Sequence, residues 1–219
     1  LARKFRRWIE FSNYNLMEAL LMNESRTKHH WFAALLCCAS LVAHGQAPVL
    51  PVVKEGKTQK ISPHVYLIPD EKVGMVPNVG IIVGSRATLV VDPGMGLKSG
   101  EAVLREVEKI SKNKDLYIIN THFHPEHTTG DLAFPASAKL LRAAAQQEDV
   151  DEMGLKWVAV FAARGTHLRD QLQGAKFREP SEIFDKEKLL DLGGVRVKLL
   201  RLGPAHTRSE EHTSELQSH

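Results

Sequence analysis

The stretch that most narrows what this chain can become is Leu116 to Asp131, LYIINTHFHPEHTTGD. It begins as a short apolar, β-branched run, Leu116 to Ile119, of the kind that forms a buried strand. It then passes into His122, His124, Glu126 and His127, three histidines and a carboxylate within six residues. Residues two apart in extended chain project to the same side, so His122 and His124 are expected to share a face. Pro125 forces a turn, after which Glu126 and His127 can swing back toward the same centre. Neutral imidazoles and a carboxylate are ligand types that a divalent zinc prefers. The C-terminal end of a strand is also where open α/β folds bind ligands.

The neighbouring pattern supplies a sheet and helices for that strand to belong to. Ile61 to Ile68 (ISPHVYLI) and Gly80 to Val83 read as strands, separated by a turn region around Pro77 and Asn78. Ala87 to Val91 reads as a strand that stops at the sharp turn Asp92-Pro93-Gly94. Ser99 to Ile110 predicts a helix, with Ser99 as its N-cap and Val103, Leu104, Val107 and Ile110 on one face. Ala136 to Val160 reads as mostly helical, and Lys188 to Leu202 as a hairpin around Gly193-Gly194. Strands and helices in this order make an α/β chain with a mixed sheet.

Composition removes several function classes. With 43% hydrophobic and 25% charged residues among 219, the chain is neither collagen-like, disordered nor multi-spanning. The net charge of +3 comes from the first 47 residues, which hold six Lys/Arg against three Asp/Glu, whereas residues 48–219 hold 23 of each. The body has no basic footprint, so nucleic acid is not an expected partner. The two cysteines are the adjacent Cys37 and Cys38, which gives no disulfide framework and no cysteine nucleophile in the body. A serine nucleophile elbow, a phosphate loop and a dinucleotide fingerprint are also missing.

The two ends read differently from the body. From Met22, Arg26 and Lys28 precede an apolar run, Trp31 to Val42, and a small-residue exit, Ala43 to Ala47. That is the order of a secretory signal peptide over 22–47, with cleavage after Ala47. The run is too short to span a bilayer, which needs about 20 apolar residues. Export to the periplasm or the medium is expected, without a stable membrane anchor after cleavage. Residues 1–21 read as upstream read-through, and 208–219 (RSEEHTSELQSH) resemble translated sequencing adapter. The domain itself is then 48–207, and His212 and His219 take no part in a metal site.

Three motifs in order resemble the metallo-β-lactamase superfamily. The cluster at His122 matches its His-x-His-x-Asp-His signature after a strand and Thr. Gly80 to Gly94 (GIIVGSRATLVVDPG) is similar to its early strands and strand-ending Asp, and Gly203 to Thr207 (GPAHT) to its later Gly-x-x-His-Thr element. The resemblance implies the N-terminal part of an αβ/βα sandwich, incomplete here. It also implies that His122, His124 and His206 hold a first zinc, that Glu126 and His127 begin a second site, and that Asp92 orients the cluster. Glu126 stands where the family usually has Asp, and the family's later ligands, a bridging Asp or Cys and a last His, lie beyond the matched motifs. The implied activity is hydrolysis of a small-molecule amide, lactone or thioester by metal-activated water, with Glu126 as the acid/base residue. A non-catalytic zinc protein and an inactive truncated product are the alternatives. A lone half of the sandwich is expected to leave an apolar sheet face exposed and to dissolve poorly. His64 and His167, without a second ligand nearby in sequence, are expected to be ordinary surface histidines.

Overall fold

Strands form where β-branched and apolar residues run together, and the computed structural model describes residues 49–203 together with the backbone of 215–217. β1 (Gln59–Lys60), β2 (Val65–Ile68), β3 (Val79–Val83), β4 (Ala87–Val91), β5 (Asp115–Ile119), β6 (Lys139–Ala143) and β7 (Glu182–Phe184) lie side by side in chain order in one seven-stranded sheet. β1 to β4 pair antiparallel and β4 to β7 parallel. Pairing changes sense at β4 because the link before it is a tight turn, while the links after it carry helices. These are α1 (Gly96–Ile110), the one-turn α2 (Pro125–Thr128) with a 3-10 turn (Thr129–Ala133), α3 (Ala144–Asp149), α4 (Leu155–Ala162) and α5 (Thr166–Gln171). A single π turn, Val150–Gly154, joins α3 to α4. No helix among the described residues is long and apolar enough to cross a membrane.

Alternation along the central strands assigns their two faces. Ile81, Val90, Ile118 and Leu140 pack with Ala102, Val103 and Val107 of α1. Their neighbours Ile82, Leu89, Ile119 and Leu141 face the other way. There they meet Leu190, Val197 and Leu199 of a second sheet. That sheet is formed by β8 (Glu187–Asp191), β9 (Arg196–Leu200) and β10 (Glu215–Gln217), in the antiparallel order β10-β9-β8. Strands covered on both faces read as continuous apolar runs, which is why ATLVV and LYII were legible as buried strands.

The turns of the two hairpins join the sheets at one end. Ser85 and Arg86 donate backbone N–H groups to the carbonyls of Gly193 (2.8 Å) and Leu192 (2.9 Å). The Arg86 guanidinium meets Asp191 at 2.9 Å. Gly84 lies so close to the Leu192 carbonyl that a side chain there would collide with it. Gly193 and Gly194 both have positive φ, 85° and 76°, as the tight β8–β9 turn requires.

The structure departs from three sequence expectations. Within 136–160, read as mostly helical, Lys139–Ala143 is a strand paired parallel with β5 and β7. Ala and Leu favour helix locally, but the burial of Leu140 to Ala143 in the sheet overrides that preference. Ser99 does not cap α1, which starts three residues earlier; it is buried within the helix, and its hydroxyl accepts a bond from the Val53 N–H at 3.4 Å. The inner sheet face is not left bare, since the β8–β9 hairpin covers it.

Candidate metal centre

Two chain reversals build the site. β4 ends at Asp92, a buried non-glycine residue with φ of 56°, in the left-handed region that costs most side chains strain. The reversal turns its carboxylate toward the adjacent strand end. Oδ1 accepts the Thr121 N–H at 2.8 Å, and Oδ2 accepts the Thr121 hydroxyl at 2.8 Å. The second reversal follows β5, where His124 is extended (φ −61°, ψ 146°) and Pro125 opens α2. Proline suits the first helical turn because its missing N–H would have had no helical partner there.

Together these turns bring the predicted donors close. Ligand atoms of His122, Glu126 and His127 lie within 4.8 Å of one another. His122 Nε2 and His124 Nδ1 are 3.2 Å apart, and His124 Nδ1 is 4.0 Å from Glu126 Oε1. The rings of His122 and His127 are 4.1 Å apart between centroids. His127 Nδ1 sits 3.0 Å from Asp92 Oδ2, and the Thr121 hydroxyl lies 3.1 Å from His122 Nδ1. A carboxylate placed beside a histidine in this way is the kind of neighbour that orients a metal-binding imidazole. His122 and His124 are buried, while Glu126 and His127 keep 14% and 19% of their side chains accessible.

The donors fit a divalent cation. Nitrogens about 2.1 Å from one tetrahedral zinc would stand roughly 3.4 Å apart, close to the separation of His122 Nε2 and His124 Nδ1. Four residues expected from sequence to be ligands are thus brought close together, and Asp92 lies beside His127. His206 lies outside the described residues. His64 and His167 stand apart from the cluster and are half-buried rather than fully exposed; His64 Nδ1 lies 2.9 Å from the Val83 carbonyl.

Several neighbours gave no sequence signal. Trp157 of α4 lies against His124 with ring centroids 4.6 Å apart, and Phe161, one helical turn on, is at 6.0 Å. With Met95, Leu168 and Leu172 they form an apolar wall behind His124. Beneath the loop, Asp131 is fully buried, and burial pushes its carboxyl up to about 7 against a hydrogen bond from Asn120 and the positive charge of Arg142. Burial also lowers the Arg142 guanidinium from its ordinary value.

This chain belongs to the metallo-beta-lactamase superfamily, whose family model matches residues 73–214. No curated protein matches it. A metallo-beta-lactamase of Cronobacter sakazakii, in a motif-mutant form, is 17% identical with a TM-score of 0.52 over 71% of this chain and 57% of its own. A subclass B3 metallo-beta-lactamase of Bradyrhizobium japonicum is 15% identical, with a TM-score of 0.53 over 76% and 58%. A stereoselective inverting sec-alkylsulfatase of a Pseudomonas species is 16% identical, with a TM-score of 0.55 over 73% and 29%. The chain therefore spans a little over half the length of these two lactamases and less than a third of the sulfatase. Its fold is an incomplete form of theirs.

Proposed function

We propose that the protein is a zinc-dependent hydrolase in which His122, His124, Glu126 and His127 hold the metal, with His206 completing the first site. The convergence of His122, Glu126 and His127, with Asp92 set on His127, is the observation that carries this reading. Zinc held by these residues would supply Lewis acidity toward the substrate oxygen and lower the pKa of water toward neutrality. Glu126, partly accessible beside His124, orients the attacking water and takes its proton. Asp92, 3.0 Å from His127 Nδ1, would orient the His127 imidazole. Trp157 and Phe161 exclude solvent behind His124, which strengthens charge interactions on that side.

The substrate class that fits is a small amide, lactone or thioester, and the apolar run and small-residue exit within 22–47 support export. The lactamase and sulfatase neighbours hydrolyse small molecules, in keeping with this reading. The test is elemental analysis of the purified chain, with assays against β-lactams, lactones, thioesters and alkyl sulfates. Zinc content together with turnover of one class, with binding weakened and turnover lost in Glu126→Ala, is the expected outcome. A zinc-loaded protein inert toward all four would leave a non-catalytic zinc protein as the better account.

A further inference from the structure

Below the histidines lies a second set of buried polar side chains that the metal chemistry does not use. Asn120, between β5 and the cluster, is fully buried. Its side-chain amide donates one hydrogen to the His127 carbonyl at 2.9 Å and the other to Asp131 Oδ1 at 3.0 Å. The backbone carbonyl of Asn120 accepts from Gln146 Nε2 at 3.4 Å, so α3 is tied to the same point. Asp131 is fixed in turn from outside. Its backbone carbonyl accepts from Arg178 at 3.1 Å, and that guanidinium also donates to the carbonyls of Phe134, Pro135, Ala136 and Ala138.

The reason for such a device lies in the local backbone. α2 is only four residues long and passes directly into the 3-10 turn, where the Thr129 N–H bonds the Pro125 carbonyl. The His127 carbonyl, part-buried at this junction, takes a hydrogen bond from Asn120. Burying a carboxamide is costly, and although the Asn120 Oδ1 has no hydrogen-bond partner among the described residues, both of its N–H groups go to the loop that carries His127. One amide thereby ties the start of the segment to points 7 and 11 residues further on.

We infer that Asn120, backed by Asp131, is a positioning residue that sets the backbone of His127, and so its ring, in a metal-ready place before any metal arrives. The zinc arm of the test rests on the function proposed above; the exchange arm does not. In the metal-free full-length chain, Asn120→Ala is expected to speed amide hydrogen exchange across 121–131 by about tenfold or more, leaving α1 and β4 protected as before. Its zinc affinity, read by competition with a chromophoric chelator, is expected to fall about tenfold. Asp131→Ala should behave likewise. Asp131→Asn, which keeps an oxygen for Asn120 to bond, should restore both readouts. Unchanged exchange over 121–131 in Asn120→Ala would overturn the inference, as would a loss of protection spread evenly over the sheet. A wild-type chain that takes up no zinc would sink the proposed function, and the exchange result would still decide for or against Asn120.

Discussion

Asp92 shows how much one side chain carries at the end of a strand. Its backbone takes a left-handed turn at φ 56°, and its carboxylate bonds Thr121 twice and faces His127. Asp92→Ala is expected to weaken zinc binding by about 10- to 100-fold, measured by chelator competition. Asp131 has a different consequence. Burial raises its carboxyl from 3.8 to about 7, so the folded chain holds a proton that the unfolded chain has released across that interval. The stability this contributes is whole below 3.8 and is lost as pH rises to about 7. Asp131→Asn should flatten that fall, seen as a smaller decline of Tm between about pH 4 and pH 7 in the metal-free chain. The histidines and Asp92 were legible because their residue types and spacing already state a chemistry. Asn120 was not, because the carbonyl it serves becomes its neighbour only after Pro125 turns the chain. Trp157 was hidden for a similar reason, since nothing local says that α4 crosses behind His124.

Among elements, the contact between α1 and the loop after α2 matters most for the site. The Gly96 N–H donates to the Thr129 hydroxyl at 2.9 Å, and the Gly130 N–H to the Gly94 carbonyl at 2.8 Å. Gly100 lies against the Gly130 carbonyl so closely that a methyl group there would collide with it. Gly100→Ala is expected to destabilise by about 1–3 kcal/mol through overpacking. Because the displaced segment carries His127, zinc affinity should fall with Tm; a lowered Tm with unchanged affinity would mean that the loop moves as a rigid piece. β4, β5 and the β8–β9 hairpin were placed from sequence to within two residues of their observed bounds, since burial on fixed faces writes itself into apolar alternation. β6 was misread because KLLRAAAQQ has the composition of a helix, and only its two sheet neighbours make Lys139–Ala143 a strand. β7 was missed altogether: in a three-residue strand with only Phe184 buried, there is too little pattern to read.

For the molecule as a whole, the described body is two sheets closed over one core rather than a single sheet with a bare face. Leu199 and Val197 of β9 occupy the same cluster as Leu89 and Leu141 of the large sheet. If the second sheet belongs to the same cooperative unit, Leu199→Ala should cost about 2–5 kcal/mol in denaturant unfolding, with an unchanged slope. A change near zero would mean that the hairpin frays independently. The sequence resemblance was sufficient for the family and the first sheet. It overestimated the exposed surface because turn-to-turn bonding between Ser85–Arg86 and Leu192–Gly193 is not written in either hairpin alone.

The central claim is that His122, Glu126 and His127 form a built cation site on this chain. The most direct measurement is zinc stoichiometry and affinity in the full-length wild type and in His122→Ala, Glu126→Gln and His127→Ala. Metal-free Tm recorded on each protein keeps folding apart from binding. The wild type is expected to bind at least one zinc per chain, and each substitution to weaken it by more than about tenfold with the metal-free fold retained. A folded wild type that binds no zinc, or variants that bind it as tightly as the wild type, would contradict the account.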